Sequence, residues 1–107
     1  MSYTAYFLDD AEKDLFEIYE YLKRSGYPLN AKKIASLIEK SCSDLSQLPD
    51  RDHIPPELER IGVLDYREIQ IKVYRIIYQV IGSEVYIHCI LDGRRDIQEI
   101  LQHRILR

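Results

Sequence analysis

Residues 66–91 read YREIQIKVYRIIYQVIGSEVYIHCIL, three runs dominated by Ile, Val and Tyr. Such side chains suit a pleated, half-buried surface, so residues 66–71, 74–81 and 84–91 are expected to be strands. Gly82-Ser83 separates the last two runs as a two-residue hairpin turn. The earlier link, Lys72-Val73, has no Gly or Asn to accept a positive φ. Strict alternation places Ile76, Tyr78 and Val80 of one strand, and Val85, Ile87, Cys89 and Leu91 of the next, on a core face. The opposite face then carries Arg75, Ile77, Gln79, Tyr86, His88 and Ile90. That mixture suits a face half covered by a helix or reserved for a partner.

Upstream of this meander the hydrophobic period is helical. Residues 3–8 are short and aromatic, a strand that stops at Asp9-Asp10. Asp9 and Glu12 form a capping-box-like pair, followed by Ala11, Leu15, Ile18 and Leu22 on one stripe, widened by Phe16 and Tyr19. Ser25-Gly26 ends this helix. Pro28-Leu29-Asn30 opens a second, with Asn30 as the expected N-cap. Ile34, Leu37, Ile38, Cys42 (or Ser41), Leu45 and Leu48 continue its stripe until Pro49. The short link between them implies an antiparallel helical hairpin. The connector 50–61 is polar, with a short turn near residues 56–60. Downstream, Asp96 can cap a final helix bearing Ile97, Ile100 and Leu101. The expected class is therefore α+β in the order β-α-α-β-β-β-α, one domain over 1–107, with the hairpin packed on a mainly antiparallel sheet.

The chain has 107 residues and a formal net charge of −3. That length supports a core without disulfide or metal staples, and 46% hydrophobic residues argue against disorder. A protein that coats nucleic-acid backbone would be basic overall, which this one is not. Cys42 and Cys89 have neither metal-ligand nor disulfide-framework spacing and read as buried free thiols. No secretory signal or membrane-length apolar run is visible, so a cytoplasmic protein with no membrane partner is expected. No metal or cofactor motif stands out.

Taken in order, Tyr66-Arg67-Glu68-Ile69, Val73-Tyr74-Arg75-Ile76-Ile77-Tyr78, Val85-Tyr86-Ile87 and Gly93-Arg94-Arg95-Asp96 resemble the signature of the RelE/ParE toxin superfamily. The likeness extends upstream through Ala11, Asp14-Leu15, Ala31, Leu48-Pro49 and Glu57-Leu58. It implies the toxin half of a bacterial type II toxin–antitoxin module, held in a hetero-oligomer by a cognate antitoxin. RelE-like members cleave mRNA on the ribosome, and ParE-like members poison DNA gyrase.

Metal-free RNA cleavage needs cations and a general acid or base at one place. By the resemblance, RelE-like enzymes use two lysines, two arginines and a helical tyrosine. Here the arginines correspond to Arg75 and Arg95, while the other three positions hold Glu68, Gln70 and Leu101. A carboxylate beside a phosphodiester adds repulsion. The resemblance therefore points toward the ParE-like branch, with gyrase as target and no catalytic residues. Expected target- or antitoxin-binding residues are Arg67, Tyr74, Arg75, Arg94, Arg95 and Asp96. The alternatives are a ribosome-dependent mRNA endoribonuclease using Arg75, Arg95, His88 and His103, or a degenerate homologue that only binds antitoxin.

Structural roles compete for the same residues. Arg67 and Arg75 could pair with Glu68 or Glu84, Asp96 could merely cap a helix, and Tyr74, Tyr78 and Tyr86 could be packing. The plainer reading of His88 is a half-buried strand residue, and that of His103 a solvated helix end. The helical hairpin groove and the half-apolar sheet face are the expected antitoxin docking places. Charge is unevenly distributed: residues 1–66 carry net −5 and residues 67–107 net +2.

Overall fold

The structure, a computed structural model, describes residues 3–26, 28–47 and 52–106. Strand β1 (Thr4–Phe7) leads into helix α1 (Asp9–Arg24), and α2 (Pro28–Asp44) returns beside it. A one-turn helix α3 (Pro56–Glu59) precedes β2 (Arg67–Ile71), β3 (Tyr74–Ile81) and β4 (Glu84–Asp92), and α4 (Ile97–Arg104) follows. The sheet order is β1-β4-β3-β2, antiparallel except where β1 runs parallel to β4. This is the expected α+β arrangement, with α1 and α2 packed on the sheet.

Two helix starts differ from expectation. Asp9 is already helical in α1 and Leu8 precedes it without a side-chain cap. Asp9, Asp10 and Glu12 instead act through their charge on the positive end of the helix. Helix α2 begins at Pro28, so Asn30 lies inside its first turn. Proline's fixed φ and missing N–H suit the first helical position, which moves the start ahead of Asn30. Leu48 and Pro49 lie outside the described residues. Asp96 does cap α4, its Oδ1 accepting the Glu99 N–H at 3.1 Å.

The sheet faces also differ from strict alternation. Ile77 pairs with Cys89, but Tyr78 pairs with Ile87, so His88 is an extra residue in β4. Such a bulge shifts the alternation by one position beyond it. Val85, Ile87 and Ile90 join Ile76 and Tyr78 against the hairpin residues Ala11, Ile38, Cys42 and Leu45. Cys89 and Leu91, expected on that face, instead join Ile77 in a second cluster with Leu58, Ile97 and Leu101. Ile90 makes the opposite exchange. The sheet is thus covered on both sides, by the helical hairpin on one and by α3 with α4 on the other.

Both hairpin turns use two residues, and both put the first at positive φ: 61° at Gly82 and 58° at Lys72. Gly takes that conformation readily, whereas Lys crowds its Cβ against the backbone. Cys42 and Cys89 are both buried free thiols, as expected, and burial pushes each up to about 12. No described helix is long and apolar enough to cross a membrane.

Candidate functional site

The β2–β3 hairpin, α3 and the loop after β4 meet around a cleft of about 670 Å³, lined by His53, Glu68, Gln70, Lys72, Arg75, Gly93 and Arg94 among others. Arg75 reaches it from β3 and stands at the centre of a charge network. Its Nη1 and Nη2 donate to Glu57 Oε2 and Oε1 at 2.8 and 2.7 Å, a bidentate fork. Its Nε and Nη2 donate to Glu68 Oε1 and Oε2 at 2.6 and 3.1 Å. His53 Nε2 lies 2.8 Å from Glu68 Oε2, and the Glu68 N–H donates to the His53 carbonyl.

Only 14% of the Arg75 side chain is exposed, with 17% of Glu57 and 4% of Glu68. The Arg75 hydrogen bond holds the Glu57 carboxyl below its ordinary range, with burial opposing the shift. The guanidinium is correspondingly harder to deprotonate. Arg75 therefore faces two carboxylates, which take up its side-chain hydrogen bonds. The neighbouring Gln70 side chain donates to the Lys72 carbonyl at 3.3 Å.

Gly93 is needed where the chain closes this cleft. Its N–H donates to the Val73 carbonyl at 2.7 Å. A Cβ there would lie 3.0 Å from that oxygen and 3.2 Å from Arg75 Cδ, tight against backbone.

The other expected binding residues are divided among places. Arg94, at 72% side-chain exposure, clasps Asp92 through Nε and Nη2 at 2.9 and 2.6 Å. That pairing lowers the Asp92 carboxyl below its ordinary value. Arg95 lies in a separate recess with Tyr21, Tyr74, Asp14, Glu17 and Asp92, and makes no side-chain ion pair among the described residues. Tyr74 is buried at the edge of the main core, where burial raises its phenol above the usual range. Arg67 donates to the Asp52 carbonyl and Asp96 serves as the α4 cap. Arg75, Arg94 and Arg95 thus lie at one end of the sheet, but Arg95 opens away from the Arg75 cleft.

Neither His88 nor His103, the histidines singled out in the sequence, lines the Arg75 cleft. His88 is half-buried, its Nε2 3.2 Å from Gln79 Oε1 and its ring edge-on to Tyr66. Burial and then Arg104 hold it below its ordinary value of 6.5, favouring the neutral ring. His103 is exposed in the last turn of α4. Leu101 is 1% exposed and packs in the core beneath α4. Among the described residues no group of three His, Cys, Asp or Glu side chains could hold a metal ion.

Sequence reasoning did not assign His53 a role, and it saw Glu57 only as part of a motif. Both lie in the connector, where no hydrophobic period locates a side chain. A groove between α1 and α2, lined by Phe7, Leu15, Phe16, Tyr19, Ala35 and Ser36, leaves Phe16 64% exposed.

Comparison with known proteins matches residues 6–97 to the family described as ParE toxin of type II toxin–antitoxin system, parDE. Comparison with curated proteins finds no match. Among solved structures, the chromosomal ParDE toxin–antitoxin system from P. aeruginosa superposes with a TM-score of 0.69 at 21% identity, covering 83% of this chain and 94% of that one. A double arginine-to-alanine mutant of the E. coli toxin RelE, in the free state, gives 0.67 at 17% identity, covering 100% and 98%. The toxin–antitoxin complex RelBE2 from Mycobacterium tuberculosis gives 0.58 at 23% identity, covering 84% and 96%. These likenesses establish a shared fold.

Proposed function

The chain belongs to the ParE toxin family of type II toxin–antitoxin systems, and from that premise we propose that it poisons DNA gyrase by binding. The observation carrying this reading is the state of Arg75, clamped by Glu57 and Glu68 where RNA cleavage would require spare positive charge. Two acidic oxygens per carboxylate at that point would repel a scissile phosphate. A protein that binds and traps its target needs no such chemistry. Arg94 and Arg95, exposed at the junction of β4 and α4, supply the target contact.

A cognate antitoxin neutralises the toxin on this reading. The groove between α1 and α2, where Phe7, Leu15, Phe16 and Tyr19 are flanked by Glu12, Lys32 and Glu39, suits an amphipathic helix, and this chain's neighbours in solved structures include toxin–antitoxin complexes.

Purified protein incubated with gyrase and supercoiled plasmid, in parallel with translating ribosomes, tests the target. Gyrase-dependent linear DNA is the expected result. Codon-position cuts in mRNA with gyrase undisturbed would overturn the proposal. Inactivity in both assays with antitoxin binding retained would identify a degenerate homologue.

A further inference from the structure

The recess that holds Arg95 lies between α1 and the end of β4 and encloses about 250 Å³. We propose that it receives a neutral aromatic side chain, a tyrosine presented by a partner protein. The incoming ring lies against the Arg95 guanidinium, and its hydroxyl bonds to that of Tyr74. Arg95 also belongs to the target contact proposed above, but the inference goes beyond that reading and holds whatever the target is.

Two groups in the recess lack partners. Tyr74 is 7% exposed, yet its hydroxyl makes no hydrogen bond among the described residues. Every fully covered side-chain nitrogen or oxygen among those residues does have a partner, so this hydroxyl keeps a narrow access to solvent. The recess that Tyr74 lines is that access. A nearly buried phenol without a partner carries a desolvation cost that an incoming hydroxyl would offset. Burial also keeps the phenol protonated and able to donate. Arg95 is the second group, with no ion pair or side-chain hydrogen bond among the described residues.

Charge selects a neutral occupant. Asp14 already accepts from Arg104 and from the Ile90 N–H, and Asp92 already accepts from Arg94. The unpaired charges left in the recess are Arg95 and Glu17. An anion drawn to Arg95 meets Glu17, and a cation drawn to Glu17 meets Arg95, so neither gains a clear net attraction. A neutral ring gains from the guanidinium face and from burial against Ile18 and Ile90. Tyr21, 63% exposed, offers a second ring to pack on it. The space is smaller than the roughly 300–1,000 Å³ of small-molecule sites, which suits a single side chain. Tyrosine supplies the ring and the hydroxyl together.

The test is an NMR titration of the full chain with N-acetyl-tyrosinamide, with the matching phenylalanine, glutamate and lysine amides, and with a thymidine tetranucleotide. The tyrosine amide should shift the Arg95 Nε–H and the Ile90 and Asp92 amides along a saturable curve. The phenylalanine amide should bind about fivefold more weakly, the ratio of one neutral hydrogen bond. Tyr74→Phe should abolish that preference without weakening the phenylalanine amide, and Arg95→Ala should weaken both. No saturable shift, equal affinities in the parent, or a tyrosine preference that survives Tyr74→Phe would overturn the proposal. Tighter binding of the glutamate or lysine amide would overturn the neutral occupant, and tighter binding of the tetranucleotide would overturn the assignment to a protein side chain. Gyrase takes no part in these measurements, so the recess can fail while gyrase poisoning stands, and the reverse.

Discussion

Asp14 of α1 and Arg104 of α4 close on each other across the bulge of β4. Arg104 Nη2 donates to Asp14 Oδ2 at 2.9 Å and to the His88 carbonyl at 3.1 Å. The same Asp14 oxygen accepts the Ile90 N–H at 3.0 Å. β1 pairs with β4 only as far as Ile87, so the next stretch of this strand edge lacks a strand partner. Two side chains from opposite ends of the chain satisfy it instead, and in doing so tie both helical layers to the sheet.

Breaking this clamp should therefore cost more than breaking a surface ion pair. Asp14→Ala leaves the Ile90 N–H without its acceptor and takes the carboxylate from a largely covered guanidinium, and should lower unfolding free energy by about 2–3 kcal/mol. Asp14→Asn should cost less, because it keeps an acceptor for Ile90. Urea unfolding of Asp14→Ala, Arg104→Ala and the double variant measures the coupling. Strictly additive losses would show that the pair does not act as a unit.

Acid should destabilise the fold in two stages. A carboxyl whose folded value is depressed contributes stability above its unfolded value and loses it as pH falls through the folded one. Glu57 lies below its ordinary 4.5, so its contribution disappears in the acidic range beneath that value. His88 lies below 6.5, so the unfolded chain takes up its proton first and stability starts to fall as pH drops past 6.5. Thermal midpoints measured across pH should show Glu57→Gln flattening the lower stage and His88→Gln the upper. A parent-like profile in either variant would contradict its assignment.

The Lys72 turn carries a correctable strain. Its φ of 58° is close to that of Gly82 in the companion turn, yet only Gly82 accommodates it without a Cβ. Lys72→Gly relieves the crowding at the expense of a more flexible unfolded chain, and should stabilise by about 0.5–1 kcal/mol. A lower melting temperature would show that unfolded-state entropy dominates.

Changing Arg94 and Arg95 together to Ala should relieve toxicity while leaving the fold intact. Both are exposed, and neither belongs to either hydrophobic cluster. Growth on induction, read beside circular dichroism of the purified variant, separates loss of function from loss of fold. A double variant as toxic as the parent would remove these arginines from the binding surface.

Much of the architecture is legible in the sequence. Helical periods in α1 and α2, strand composition from Arg67 onward, Gly82-Ser83 and the Asp96 cap are local signals, because each arises from neighbours along the chain. The ordered motif set was also enough to indicate the superfamily. The N-caps were less legible: Pro28 outweighed Asn30, and Leu8 occupied the position expected of Asp9.

By its sequence alone the chain determined its element order, its α+β class and the residue types available for function. Tertiary structure decided which of them meet. One extra residue at His88 reversed the faces of Cys89, Ile90 and Leu91, an effect invisible to a period-two pattern because a bulge depends on the partner strand. Pairing decided likewise that Arg75, read as a contact for a partner, spends its hydrogen bonds on Glu57 and Glu68. Glu57 and Arg75 lie 18 positions apart in the chain, with no periodic signal linking them. Their meeting follows from packing α3 beside the sheet, where a buried charge must find its opposite.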